Sequence, residues 1–199
     1  MMRRVIWLIV FLLTSGCAAL NPNSADDYYY EGLNCAKSKN FDSSIVYFKK
    51  AIAEKPDFIN AYYMLSTVYY RVGKYAEAIN CADQCLKIDK DFTDCMMVKA
   101  DGYLSARQYY EAAEAYEIIL KYEPNKNNFI YKDKAPVLFG LGIAYGFTED
   151  YSKSLSALTQ CRNLKDVNPI SKNIISDCRD LYRSLAVEAE RKKMKSEKK

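Results

Sequence analysis

The chain has 199 residues, half of them hydrophobic, with seven Gly, five Pro, seven Cys, 18 Tyr and no His. This composition suits a helical domain large enough for a real core. The missing histidine removes Ser-His and Cys-His nucleophile pairs and most zinc and haem sites, and a net charge of +4, half of it from Arg3 and Arg4, is too small for a nucleic-acid footprint.

In chain order, the first element is a targeting segment. Met1-Met2-Arg3-Arg4 is positive, Val5 to Leu13 is an unbroken apolar run, and Thr14-Ser15-Gly16 is small. A membrane-crossing helix needs roughly 20 apolar residues. Residues 1–16 therefore read as a secretory signal peptide. The ending Leu13-Thr14-Ser15-Gly16-Cys17 resembles the lipobox of bacterial lipoproteins, with Leu13 one place further back than that family prefers. The resemblance implies cleavage before Cys17 and lipidation of its thiol; the plainer alternative is an ordinary signal peptide cut near Ala18 or Ala19. Each buried methylene of an acyl chain contributes ~0.8 kcal/mol, so the lipid would hold the protein on a membrane. Ala18 stands where an inner-membrane retention signal would place Asp, which implies the outer membrane, facing the periplasm. Residues 17–24 lack apolar periodicity and read as a tether.

Beyond the tether a pattern recurs every 34 residues. Phe41, Tyr75 and Tyr109 keep this spacing, as do Ser44, Ala78 and Ala112, and Pro56, Lys90 and Pro124. A period of this size marks a repeat architecture of helix pairs that bury their apolar faces only against neighbours. The units are 25–58, 59–92, 93–126 and, after an insertion at Asn127 to Lys134, 135–168. Each reads as two short amphipathic helices. Gly32, Ser66, Ala100 and Gly142 should face Ser44, Ala78, Ala112 and Ser154, letting paired helices approach within ~8–10 Å.

These units resemble the tetratricopeptide repeat family. Repeat one supplies Tyr28, Gly32, Ser44, Phe48, Ala51 and Pro56; repeat two Tyr62, Leu65, Ser66, Tyr69, Ala78 and Ala82; repeat three Ala100, Tyr103, Ala112, Tyr116 and Pro124; repeat four Leu141-Gly142, Tyr145, Ser154 and Leu158. The resemblance implies an all-α fold, an α-solenoid of about four repeats. The first helix of each repeat would line a concave groove that binds a protein or peptide partner. The groove positions carried over are Tyr29, Leu33 and Lys37; Asn60, Tyr63, Thr67, Tyr70 and Arg71; Asp94, Met97, Asp101 and Leu104; and Phe139, Ile143 and Phe147. Each of these could instead pack against a neighbouring repeat. Family members that grip a terminal carboxylate use a clamp of Lys, Asn and Arg. Tyr29, Leu33 and Tyr63 occupy those places here, so that mode is not expected.

If Cys17 is acylated, six cysteines remain. Antiparallel neighbours meet at positions symmetric about their turn. Cys85 and Cys95 centre on Lys90, and Cys161 and Cys178 centre near Pro169, so both pairs are candidate disulfides. The alternative is that these cysteines replace small apolar residues, as Cys85 and Cys161 do by standing at family Ala positions. No metal site is expected, since Cys81 and Cys85 lie one turn apart without CxxC or His.

Residues 169–194 read as a capping helix, with Ile174, Ile175, Cys178, Leu181, Tyr182, Leu185 and Val187 apolar and the rest mostly charged. Residues 195–199 form a basic tail. The sequence-level expectation is a lipid-anchored, non-enzymatic scaffold without a cofactor, acting in envelope or secretion-complex assembly. The alternative is a structural envelope lipoprotein that touches peptidoglycan or lipid through the tail. A buried, pKa-shifted acid such as Asp101 would favour an enzymatic reading instead.

Overall fold

The computed structural model describes residues 24–121, 134–165 and 169–197, with the side chain of Ile170 left aside. Cys17, the signal segment, most of the insertion, Pro124 and the last two lysines lie outside these residues. The described residues form helices and turns only: α1 (Ala25–Lys37), α2 (Phe41–Glu54), α3 (Ile59–Arg71), α4 (Tyr75–Ile88), α5 (Thr93–Ser105), α6 (Tyr109–Lys121), α7 (Ala135–Phe147), α8 (Tyr151–Arg162) and α9 (Pro169–Ser196). They fall into two units, residues 1–56 and 57–199.

The first unit is the pair α1–α2. Ser24 caps α1 by accepting from the Asp27 amide at 3.1 Å. Asp26 and Asp27 in the first turn and Lys37 in the last complement the helix dipole. The two helices meet where Gly32 has no side chain. The fully buried Phe48 ring fills that place, and a Cβ on Gly32 would stand 2.6 Å from it. Beside the ring, the Ser44 hydroxyl donates to the Gly32 carbonyl at 2.9 Å.

The second unit repeats this design. Ser154 donates to the Gly142 carbonyl at 2.6 Å, and Leu158 lies over Gly142. Ala78 and Ala112 hold the same place without a hydroxyl, and both are fully buried. Within a pair the turn is fixed by a residue in the left-handed region: Gly73 in the second repeat, Arg107 in the third and Glu149 in the fourth. Lys39 does the same in the first unit. These residues occupy one place in every repeat. The amides of Asn40, Lys74 and Gln108 close each preceding helix by reaching back to Cys35, Tyr69 and Tyr103. This hydrogen-bond pattern satisfies the last carbonyls of the helix, and only one of the four left-handed positions uses the residue that adopts it without strain.

Apolar burial then runs along the unit. Ala82, Cys85 and Cys95 gather Tyr62, Tyr63, Leu86 and Phe92 around them. Tyr116, Ile119, Val137, Leu141 and Ala144 fill the space between α6 and α7. Leu138, Leu158, Ile175 and Cys178 join α7 and α8 to α9, with Leu181, Tyr182 and Leu185 against them. Disulfides join Cys85 to Cys95, with Cα atoms 6.5 Å apart, and Cys161 to Cys178, at 6.3 Å. Both lie at zero exposure.

The last helix departs from the sequence reading in two ways. It continues through Ser196, past the boundary at 194, so Lys195 is helical. Lys192 ties this end down by pairing with Glu149 at 2.6 Å and lying over the Tyr151 ring. Val187, read as an apolar packing position, is half exposed. The stripe through Leu181 and Leu185 continues at three- and four-residue steps, and Val187 falls two residues off it.

Candidate functional site

In the first unit, the Tyr29 ring rests against those of Tyr30 and Phe48, with centroids 5.7 and 5.8 Å away. Leu33 is half-buried and Lys37 exposed. These three residues therefore have a local packing environment of their own.

In the second unit, α3 packs beside α5 and α5 beside α7. The face they share carries the remaining sequence-read positions. On α3, Asn60 and Arg71 are exposed, while Tyr63, Thr67 and Tyr70 are half-buried. Tyr63 packs on Phe92 at 5.8 Å, and Tyr70 on Tyr75 at 5.7 Å. The Thr67 hydroxyl donates to the Tyr63 carbonyl at 3.0 Å. Burial, and next the Asp94 carboxylate, hold the Tyr63 hydroxyl above its ordinary pKa. On α7, Phe139 packs into the core beneath the cap and Ile143 is half-buried. Phe147 is 62% exposed, yet it stacks on Tyr109 with centroids 4.4 Å apart and planes 7° from parallel.

The centre of this face is α5. Asp94, Met97, Asp101 and Leu104 follow at three- and four-residue steps and so share one side of the helix. Met97 and Leu104 also touch the core below. The Tyr116 hydroxyl donates to Asp101 at 2.5 Å. The Ser105 hydroxyl donates to that of Tyr70 at 3.2 Å, linking α5 to α3. Tyr116 reaches Asp101 because Ala100 fills the place that Gly32 and Gly142 leave open in their own pairs. The ring lies instead over Gly140 of the next repeat, where a Cβ would stand 2.4 Å away. Burial pushes the Asp101 carboxyl above its ordinary pKa, the Tyr116 hydrogen bond opposing that shift. Burial also raises Asp94. A second tie crosses the same joint. The Tyr145 hydroxyl donates to Glu117, and burial, helped by that carboxylate, pushes the hydroxyl up to about 12.

The raised carboxyl has a consequence for stability. Between the ordinary value of 3.8 and the higher folded value, the folded chain holds a proton that the unfolded chain has released. Stability from this group is full below 3.8 and falls as pH rises through the folded pKa. Asp101→Asn keeps an acceptor for Tyr116 and removes the charge. We expect its melting temperature to exceed that of the wild type more at pH 7 than at pH 4, in melts followed by circular dichroism. A gap that does not change with pH would show that the charge carries no desolvation cost.

Ser105, Tyr75 and Tyr109 contact residues of this face and the buried Tyr116 reaches it from below through its hydroxyl, although sequence reasoning did not place them there. Tyr75 and Tyr109 were visible as period markers. The signal for Tyr116 was a glycine at 140, opposite a bulky residue in a repeat whose own small position is Ala. The described residues contain no group of three or more Cys, Asp or Glu arranged to hold a metal ion, and no helix long and apolar enough to cross a membrane.

Helix pairs stacked with this turn, this small-residue contact and a polar-backed terminal helix define an α-solenoid repeat protein. Its fold is that of tetratricopeptide repeat proteins, as solved structures show. MamA (residues 41 to the end) from Desulfovibrio magneticus RS-1 superposes with a TM-score of 0.65 at 17% identity, covering 85% of this chain and 97% of that one. The first tetratricopeptide domain of Spaghetti (RPAP3), bound to the HSP90 peptide SRMEEVD, superposes with a TM-score of 0.53 at 19% identity, covering 65% and 99%. A family model described as anaphase-promoting complex, cyclosome, subunit 3 matches residues 37–119. The DnaJ homolog subfamily C member 3 of Bos taurus is 25% identical over 140 residues, 64% of this chain, and the match spans 26% of that protein's length.

Proposed function

We propose that this chain is a lipid-anchored scaffold that faces the periplasm and holds a protein partner on the face of α3, α5 and α7, in the assembly of an envelope or secretion complex. The observation that carries the binding reading is the side of α5 from Asp94 to Leu104, where apolar and charged groups alternate beside the half-buried rings of Tyr63 and Tyr70. Tyr-rich surfaces of this kind supply much of the energy of protein interfaces. The solved neighbour with a peptide bound supports a peptide or protein as occupant.

The envelope reading is supported by the lipobox-like ending at Cys17 and by the two disulfides, which persist in oxidising compartments. The enzymatic reading asked for a buried, shifted acid, and Asp101, half-buried with a raised carboxyl, comes nearest to one. Among the described residues, however, its polar partner is Tyr116, and no second acid or nucleophile joins them. That arrangement suits packing or recognition better than proton transfer.

The test is crosslinking in living cells from a photo-reactive residue at position 63, with the exposed Lys87 of α4 as control. We expect one discrete protein adduct from position 63 and none from 87, both protein and adduct leaving the membrane fraction in the Cys17→Ser background. Capture only elsewhere would overturn the binding face, and unchanged membrane association of Cys17→Ser would overturn the anchor.

A further inference from the structure

The face of α5 also constrains the chemistry of its occupant, an inference that rests on the binding reading above. Asp94 and Asp101 are seven residues apart, which places them on one side of the helix about 10 Å from each other along its axis. Met97 lies between them and Leu104 one turn beyond Asp101. Both side chains are only partly exposed, and burial raises both carboxyls. Neither has a cationic partner among the described residues. The one lysine of α5, Lys99, is directed elsewhere, to Asp83 at 2.7 Å. Tyr116 satisfies one oxygen of Asp101 and supplies no positive charge. Asp94, in the first turn of α5, gains from the helix dipole. Asp101 sits in the middle of the helix and has no such compensation.

A half-desolvated carboxylate costs the fold free energy, and an incoming cation recovers that cost by pairing with it. Met97 between the two acids, with Leu104 beyond them, would take the stem of a long basic side chain. We propose that the partner presents to α5 an extended segment bearing Arg or Lys flanked by apolar residues, with the basic group docking between Asp94 and Asp101. This is the opposite charge preference from a carboxylate clamp. An anionic headgroup or a terminal carboxylate would meet repulsion here.

The experiment is selection from a random dodecapeptide phage library on purified full-length protein, followed by binding of selected peptides carrying a photo-reactive group. The expected result is enrichment of Arg and Lys among peptides that crosslink to α5 near Met97, with binding about tenfold weaker in Asp101→Asn, which keeps the Tyr116 acceptor. Peptides that crosslink at Met97 without basic enrichment, or that bind Asp101→Asn equally well, would overturn the charge inference and leave the binding face standing. If no peptide is selected, or if the adducts lie on other faces, the binding face itself fails and the charge inference with it.

Discussion

Replacing Cys161 and Cys178 together by Ala should destabilise the second unit by about 3 kcal/mol and should free the last helix first. The bond closes a loop of 17 residues, and loops of this size contribute about 3 kcal/mol through the unfolded chain's lost freedom. The physical reason for local release is position. Among the described residues α9 packs chiefly on α7 and α8, through Ile175, Cys178, Leu181, Tyr182 and Leu185. Without the bond, Leu138 and Leu158 are covered by apolar contact alone. Hydrogen exchange should therefore accelerate in residues 175–185 before it does in α5 and α6. Uniform acceleration across the unit would mean that the cap and the repeats open as one.

Gly140→Ala should cost roughly 3 kcal/mol, a large effect for one methyl group. A Cβ at position 140 would fall 2.4 Å from the Tyr116 ring and 2.6 Å from its hydroxyl oxygen. Tyr116 is 1% exposed, so the ring cannot swing into solvent. Overpacking of this kind costs about 1–3 kcal/mol. Displacing the hydroxyl would also strip the half-buried Asp101 of its hydrogen bond, at a further cost of ~1 kcal/mol. Thermal melts of the variant, and of the pair Gly140→Ala with Tyr116→Leu, separate the two contributions. The smaller Leu should recover part of the loss by making room. If Gly140→Ala melts with the wild type, the ring has another place to go and the contact is not tight.

The two predictions draw on features of unequal visibility in the sequence. The helix pairs were legible because the period is written in residues that packing forces to be small or aromatic, such as Ser44 with Phe48 and Ser154 with Leu158. The sulfur pairs could be named because antiparallel helices bring residues symmetric about a turn together. The details of the face were less legible. Helical spacing put Asp94, Met97 and Asp101 on one side, but it could not say that Tyr116 reaches Asp101 from another helix. That contact depends on Ala100 standing where other repeats have Gly, and on Gly140 in the next unit. It is a three-body packing fact with no periodic trace. Phe147 was assigned to the face by position alone, while its stacking on Tyr109 depends on how two successive pairs dock.

The placement of the two sulfur bridges sets the mechanics of the second unit. Cys85–Cys95 fastens the second repeat to the third, and Cys161–Cys178 fastens the fourth to the terminal helix. Neither spans the joint between the third and fourth repeats. There the load rests on non-covalent contacts: the apolar packing of Ile119, Val137, Leu141 and Ala144, the Tyr116 ring over Gly140, the Tyr145–Glu117 hydrogen bond and the Tyr109–Phe147 stack. Pulled along its length, the array would keep its two bolted joints shut and yield at the third, where the sequence also inserts its extra residues. A partner lying across α5 and α7 spans that joint, and its binding would act as the missing fastener.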